Sequence, residues 1–374
     1  MIQVSSNSII AFWALVKAGL WEEKIQFSSF ESFDFSEIYR LAEEQTVVGL
    51  VTAGFEHVQD AKVPQQVVLT FVGNALQIEQ RNLAMNVFVA KLISQLRNED
   101  IYTLLVKGQG IAQCYERPLW RVAGDVDLFL SEENYQKAKI FLKQLASSSD
   151  NEDSYYQHIS MIIDSWEVEL HGSLRSGLWK KLDKGIDDTQ KTVFYEGQVR
   201  SWMCGETQVF LPRADEDVIF VFSHILQHFF REGVGLRQVC DWCRLLWRYK
   251  ETINKSLLEG RLKELQIFSE WRAFASLAVN KLGMPKDAMP FYSDAEKWQD
   301  KADRILSLII ENGSFGHNRD KSYYSNHSYL IRKIISLWRH TVDGLRFFTV
   351  FPLDSIKVWT STMLTGVRAL ITRS

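Results

Sequence analysis

Two aspartates separated by one residue begin a short apolar segment, 126–130. Because side chains alternate along a strand, Asp125 and Asp127 are predicted to share one face, while Val126 and Leu128 point into the core. Two carboxylates held close together repel each other, and a divalent cation removes that repulsion. Mg²⁺, or Mn²⁺ in its place, takes carboxylate oxygens together with substrate phosphates and water. The pattern therefore predicts a metal site at Asp125 and Asp127.

A glycine-rich turn precedes the aspartates in the chain. Lys107, Gly108, Gln109 and Gly110 follow the predicted strand 101–106 and start a helix. Backbone N–H groups at a helix start bind anions, and glycine lets the backbone approach a phosphate closely. Lys107 adds a positive charge. The order of glycine turn, helix and G-D-x-D strand is more specific than any one of these features, and it predicts a site that binds phosphate and metal together.

A third carboxylate is expected from the strictly alternating segment 166–171. Glu167, Glu169 and His171 share one face of this predicted strand, so either glutamate can be the third acid. If the strand neighbours 126–130, Glu169 approaches the aspartate pair. Three acids around one or two Mg²⁺ ions can hold a nucleoside triphosphate (NTP) donor and bring an acceptor hydroxyl in line with its α-phosphorus.

The elements that must position these residues predict an α/β (α+β) fold. Residues 1–98 are predicted as an N-terminal helical region, 99–213 as a core with a mixed sheet, and 214–374 as a C-terminal helical domain. In the core we predict a helix at 131–146, with Ser131 as its N-cap. The predicted strands of the core are 101–106, 126–130, 155–163, 166–171, and a further pair at 192–200 and 207–212.

The order of these motifs resembles the polymerase-β-like nucleotidyltransferase superfamily. That superfamily has a glycine motif at a helix start, a D-x-D on the next strand and a third carboxylate on a later strand. More narrowly, the chain is similar to a family of uncharacterised bacterial nucleotidyltransferases. The matching motifs are a K-G turn at Lys107 and Gly108, an R-x-x-x-D-x-D-L segment from Arg121 to Leu128, and an E-x-H strand at Glu169 and His171. Where the superfamily usually has Gly-Gly or Gly-Ser, this chain has Gly108–Gln109–Gly110.

The resemblance implies transfer of a nucleoside monophosphate (NMP) group from an NTP to an acceptor hydroxyl or phosphate. The acceptor would be a small molecule, a saccharide, a protein or an RNA end. The implied metal-binding and catalytic residues are Asp125, Asp127 and Glu169. The residues expected to bind the donor are Lys107, Gly108, Gln109, Gly110, Arg121, His171 and Arg237. Two alternatives remain, namely a non-catalytic nucleotide-binding or scaffold protein on the same fold and a toxin-like transferase acting on tRNA.

Three further patterns lie in the C-terminal helical domain. His224 and His228 share a helix face, and we expect them to bond to each other in a packing layer rather than to form a metal pair. The C-x-x-C at 240–243 lies within a helical pattern and has no second cysteine pair nearby, which favours buried cysteines over zinc or redox chemistry. Arg237 and Asp241 are four residues apart and are expected to form a helix ion pair, although Arg237 could instead reach the nucleotide.

Composition limits the classes of protein that fit. The chain has 374 residues, a net charge of −3 and four cysteines, so neither long nucleic acid nor a disulfide framework is expected. No run of 18 apolar residues is present, and the apolar stretch 8–20 contains Lys17, so we expect a cytoplasmic protein without a transmembrane segment. Residues 329–374 hold seven basic and two acidic residues, which favours a solvated helix face over a surface for an anionic partner.

Overall fold

The computed structural model describes residues 6–30, 32–195, 199–231, 233–316, 318 and 329–371. Single-turn 3₁₀ helices occur between the longer elements. The helices and strands are, in chain order, α1 Ser6–Trp21, α2 Phe35–Glu44, α3 Val48–Phe55, α4 Gln65–Asn98, β1 Leu104–Val106, α5 Gly108–Ala112, β2 Val126–Phe129, α6 Glu132–Leu145, β3 Ser148–Ser149, β4 His158–Ile163, β5 Trp166–His171, α7 Lys180–Tyr195, β6 Val199–Cys204, β7 Thr207–Pro212, α8 Ala214–Arg231, α9 Leu236–Arg248, α10 Lys255–Glu264, α11 Phe268–Asn280, α12 Glu296–Asn312, α13 Tyr329–Phe348 and α14 Pro352–Ile371.

The central sheet has the strand order β1–β2–β5–β4–β3. β2 and β5 are parallel, whereas the other neighbouring strands are antiparallel. Every residue of β1 and β2 is buried, as expected for strands covered on both faces. The parallel register places Asp127 opposite Glu169. This mixed sheet with helices before and after it in the chain confirms the predicted fold class.

The hairpin between β4 and β5 has a two-residue turn. Asp164 and Ser165 both have positive φ angles, 48° and 68°, and the type I′ turns that match the twist of paired strands require such angles. The turn fixes the register in which His158 lies opposite His171. The strands predicted at 155–163 and 166–171, with only Asp164 and Ser165 between them, predict a hairpin, and the structure confirms it. The hairpin positions part of the site described below.

Two hydrophobic cores hold the molecule together. One lies between the sheet, α6 and the second half of α4, and includes Val89, Leu128 and Leu170. The other is shared by the N-terminal and C-terminal helices. Across this second core the Trp21 indole donates to the Leu282 carbonyl at 2.6 Å, and the Gln45 amide donates to the Ile309 carbonyl at 3.1 Å. The N-terminal and C-terminal helices thus pack on each other. The division of the chain into regions 1–98, 99–213 and 214–374 stays a prediction.

Two predicted elements differ from the structure. The strand predicted from residue 192 is wrong, because α7 continues to Tyr195 and β6 begins at Val199. Leu182, Ile186 and Val193 are buried at helical spacing, and their packing outweighs the β-branched residues near 192. The sequence also predicts one helix from residue 36 to beyond 49, but the structure divides it into α2 and α3, where Thr46 has a φ of 56°.

The C-terminal helices contain the basic residues noted in the sequence. Arg346 lies 3.7 Å from Glu311, and the Lys357 ammonium donates to Asp354 at 2.8 Å, so both basic groups have acidic neighbours. The side chains of Arg332, Lys333 and Arg368, and the whole of Arg373, lie outside the described residues. Within the described part of the chain, no helix combines the length and the hydrophobicity needed to cross a membrane.

Candidate active site

Three carboxylates meet where β2 and β5 run side by side. Asp127 lies on β2 opposite Glu169 on β5, and Asp125 immediately precedes β2. One oxygen of each of these three side chains lies within 4.8 Å of the others. Glu167 is exposed and accepts a hydrogen bond from the Ser160 hydroxyl at 3.0 Å. The strand register therefore brings Glu169, and not Glu167, to the aspartate pair.

Two nitrogen groups surround the buried Asp127 carboxylate. The Lys107 ammonium donates to Asp127 Oδ1 at 2.8 Å, and His171 Nε2 lies 2.8 Å from the same oxygen. Lys107 has a φ of 55°, a left-handed conformation that is strained for a lysine. The turn thereby directs the Lys107 side chain toward the acids, and its ammonium group pairs with the Asp127 carboxylate.

Like charges set the ionisation of Asp125. The Asp127 charge, followed by burial, raises the pKa of Asp125 to about 6. Burial alone would also raise the pKa of Asp127, but Lys107 and His171 outweigh burial and hold that pKa below its usual value. Three carboxylates thus face one lysine in a poorly solvated position. A hard divalent cation fits this set because all three groups offer oxygen ligands and negative charge is in excess.

Glu169 is held ionised by its neighbours. Burial on its own would raise the pKa of this carboxyl, but hydrogen bonds from His158 and His171 and the charge of Lys107 hold it well below its usual range. The same contacts with Asp127 and Glu169 raise the pKa of His171, even though burial and Lys107 act to lower it. The acids and the imidazole therefore stabilise each other's charged forms.

The acids border a cavity of about 460 Å³. Its other walls come from the glycine turn, the segments 153–158 and 173–175, and helices α8 and α9. Lys107, Gly108, Arg121, His171 and Arg237, all expected to bind the donor, line this cavity. Cavities of 300–1,000 Å³ are typical of sites for organic ligands.

Gln109 and Gly110, which were also expected to bind the donor, face the protein interior. The Gln109 side chain is buried and donates to Asn82 Oδ1 at 3.0 Å. A Cβ atom at Gly110 would lie 2.8 Å from a methyl group of Leu211, so a larger residue here would require the Leu211 side chain to shift. Contact with the donor through the backbone of these two residues stays a prediction.

Asp241 pairs with Arg121 across 120 residues of sequence. Arg121 donates to both carboxylate oxygens, from Nε at 3.0 Å and from Nη2 at 2.6 Å, and the Tyr115 hydroxyl adds a third bond at 2.8 Å. Arg237 donates instead to the Val122 carbonyl at 2.9 Å and to Thr46 Oγ1 at 3.1 Å. The predicted Arg237–Asp241 ion pair is therefore wrong, because a two-pronged arginine outside the helix makes the better pair with this carboxylate.

Three histidines line the cavity beyond His171. His224 and His228 are bonded as predicted, with their Nε2 atoms 3.0 Å apart, and they also form part of the cavity wall. Burial, together with the Lys107 charge, lowers the pKa of His224 well below its usual value. His158 was not recognised in the sequence, because its place beside Glu169 depends on the β4–β5 register.

Cys240 and Cys243 are fully buried in α9, as expected for packing residues.

The mixed sheet and the acid cluster are consistent with the fold of a nucleotidyltransferase. Residues 31–283 match the family described as uncharacterised nucleotidyltransferase. This match covers more than half of the chain and includes the glycine turn, all three acids and α8 to α11, so the chain belongs to that family. No curated protein and no solved structure matches the chain.

Proposed function

We propose that this protein is an Mg²⁺- or Mn²⁺-dependent enzyme that transfers an NMP group from an NTP to an acceptor hydroxyl or phosphate. The observation that supports this proposal most directly is the set of three carboxylates, with oxygens within 4.8 Å of one another, beside a cavity of about 460 Å³. Family membership supports the reaction class.

Asp125, Asp127 and Glu169 would hold the metal. When bound, a divalent ion neutralises the triphosphate and stabilises the charge that develops at the α-phosphorus. Lys107 and His171 keep Asp127 ionised and fixed in position, since both contact the same oxygen. We assign Glu169 to metal binding rather than to proton transfer, because a carboxylate with a lowered pKa is a weak base.

The donor would bind with its phosphates near the glycine turn. Gly108 lines the cavity at a φ of 30°, and the nearest atom to a Cβ added there is the Asp125 carbonyl oxygen at 3.5 Å. A backbone without a side chain at this point leaves room for a phosphate beside the acids. Arg237 on α9 also lines the cavity and adds positive charge to it.

The reaction forms one bond and breaks one bond at the α-phosphorus. The acceptor oxygen bonds to that phosphorus, the bond to the bridging oxygen breaks, and pyrophosphate leaves with the electron pair. An acceptor hydroxyl gives up its proton to a base. The protein contributes by positioning the reactants and neutralising charge, which account for most of the catalysis of such transfers.

The position of the label in the NTP distinguishes NMP transfer from other reactions that consume an NTP. The protein is incubated with Mg²⁺, a cell extract separated into small and large molecules, and NTP labelled either at the α- or at the γ-phosphorus. We expect an extract component to acquire the α-label but not the γ-label, and Asp127→Asn to abolish the transfer. Transfer of the γ-label, or full transfer by a folded Asp127→Asn variant, contradicts the proposal.

A further inference from the structure

The β4–β5 hairpin brings together a second set of metal-binding side chains. His158 on β4 lies directly opposite His171 on β5, and Glu169 precedes His171 by two residues, so it shares the same face of the strand. All three side chains line the cavity. His158 therefore lies beside the acid cluster on the β4 side of Glu169, whereas His171 also contacts Asp127 on β2.

The distances within this set match those between ligands of one ion. His158 Nε2 and His171 Nε2 each lie 3.3 Å from Glu169 Oε2, and one ligand atom from each residue falls within 4.8 Å of the others. Two ligands bound at about 2.1 Å, at tetrahedral or octahedral angles, lie roughly 3.0–3.4 Å apart. The two imidazoles and the carboxylate are thus already spaced to share a metal ion.

The chemistry of these donors differs from that of the three carboxylates. Imidazole nitrogen is a softer ligand than carboxylate oxygen, so a set of two histidines and one carboxylate favours Mn²⁺, Fe²⁺, Co²⁺ or Zn²⁺ over Mg²⁺. The side chains of His158, His171 and Glu169 are 31%, 10% and 22% exposed, so an ion can reach them from the cavity.

We propose that His158, Glu169 and His171 form a second metal site, which takes a divalent transition ion and shares the Glu169 carboxylate with the Asp125–Asp127 site. The site follows from the ligand set and does not depend on nucleotidyl transfer. A shared carboxylate would hold the two ions close together, as in enzymes with paired metals about 3.5–4 Å apart.

Pulsed electron paramagnetic resonance of bound Mn²⁺ tests this site, because it detects nitrogen nuclei that bind the ion directly. The full-length protein is given one equivalent of Mn²⁺ in excess Mg²⁺, without nucleotide. We expect ¹⁴N modulation from imidazole in the wild type. His158→Gln should weaken this modulation and lower the Mn²⁺ affinity by at least about tenfold. Removing a residue that only contacts a metal ligand already lowers metal affinity by about tenfold or more, and His158 would bind the ion directly. His158 is the better residue to change, because His171 also contacts Asp127.

Two further variants complete the test. His57→Gln, at a histidine paired with Glu22 away from the cavity, should leave Mn²⁺ affinity and ¹⁴N modulation unchanged. Asp125→Asn removes a ligand of the carboxylate site only, so the ¹⁴N signal should remain. Absence of ¹⁴N modulation in the wild type, or a His158→Gln variant that matches the wild type, overturns the second site. NMP transfer measured in Mg²⁺ alone tests the proposed reaction separately, so failure of either claim is seen independently of the other.

Discussion

Two regions of the molecule each place a pair of carboxyl groups close together, and they relieve the repulsion in different ways. At the sheet, Asp125 and Asp127 border a cavity and have Lys107 and His171 beside them. Among the helices, Glu270 of α11 lies near Asp354 of α14 inside the core. At the sheet, positively charged groups relieve the repulsion between the carboxylates. In the helical pair, protonation of one carboxyl group relieves it.

The helical pair shows what burial does without a cavity. Glu270 is 2% exposed, and burial, followed by the nearby Asp354 carboxyl group, raises its pKa well above the usual value. The nearby Lys357 ammonium donates to Asp354 at 2.8 Å and leaves Glu270 as the protonated partner. Close carboxyl groups therefore do not by themselves make a metal site. Open access and a surplus of ionised oxygens distinguish the pair at the sheet.

The largest effect is expected from removing the third acid of the sheet cluster. Glu169→Gln keeps the shape of the side chain but removes a charged ligand, and we expect NMP transfer to fall by at least about a hundredfold. Transfer of α-label at saturating Mg²⁺ measures the change. A folded Glu169→Gln variant with wild-type transfer removes this residue from the site.

Removing the lysine tests whether a positive charge stabilises the sheet pair. Lys107→Met leaves Asp127 with one cationic neighbour, and we expect the free energy of unfolding in urea to fall by roughly 1–3 kcal/mol without divalent ions. Saturating Mg²⁺ should restore part of the loss, since the ion supplies the missing charge. Lys137→Met, at an exposed lysine paired with Glu133, is the matched control and should change stability by less than about 0.5 kcal/mol. An equal loss with and without Mg²⁺ contradicts this interpretation.

The helical pair predicts a dependence of stability on pH. Because the pKa of Glu270 is higher in the folded than in the unfolded chain, folding binds a proton, and the contribution of Glu270 to stability falls as pH rises above about 4.5. Glu270→Gln should remove this contribution, so that it matches the wild type near about pH 5 and is more stable near about pH 8. Urea unfolding across this range measures the difference. Identical pH profiles for both proteins rule out a protonated Glu270.

The smallest effect is expected at the neighbouring glutamate. Glu167→Gln alters an exposed residue that contacts Ser160, so stability should change by less than about 0.5 kcal/mol and NMP transfer should not change. This variant is the matched control for Glu169→Gln, since both replace a glutamate on β5. A large loss of transfer here assigns the third acid to Glu167 instead.

The parts of the site that depend on local patterns were predictable from the sequence. Alternation of side chains placed Asp125 and Asp127 on one face and outlined β5, because a period of two is visible within a few residues. The choice between Glu167 and Glu169 depends on whether β2 and β5 are neighbours in the sheet. The sequence could not establish this, since the two strands are not consecutive in the chain.

Other features depend on long-range pairing and were missed. His158 reaches the acids only through the β4–β5 register, and Asp241 meets Arg121 across 120 residues, whereas its nearest sequence candidate was Arg237. The helix α7 was missed although Leu182, Ile186 and Val193 recur at helical spacing, because the polar residues Thr189 and Gln190 occupy the buried positions between them. The local alternation of side chains thus identified the acids, whereas contacts between distant parts of the chain determined which residues surround them.

Thermal unfolding with nucleotides tests the central claim most directly, because it needs no acceptor. Wild type and Asp125→Asn/Asp127→Asn are unfolded with ATP, GTP, CTP or UTP, each with and without Mg²⁺. At a ligand concentration about 100 times its dissociation constant, binding stabilises the fold by roughly 2.7 kcal/mol. We predict Mg²⁺-dependent stabilisation of the wild type by at least one NTP and its loss in the double variant. The absence of any such shift in the wild type, or an equal shift in the double variant, contradicts a metal-dependent triphosphate site at these aspartates.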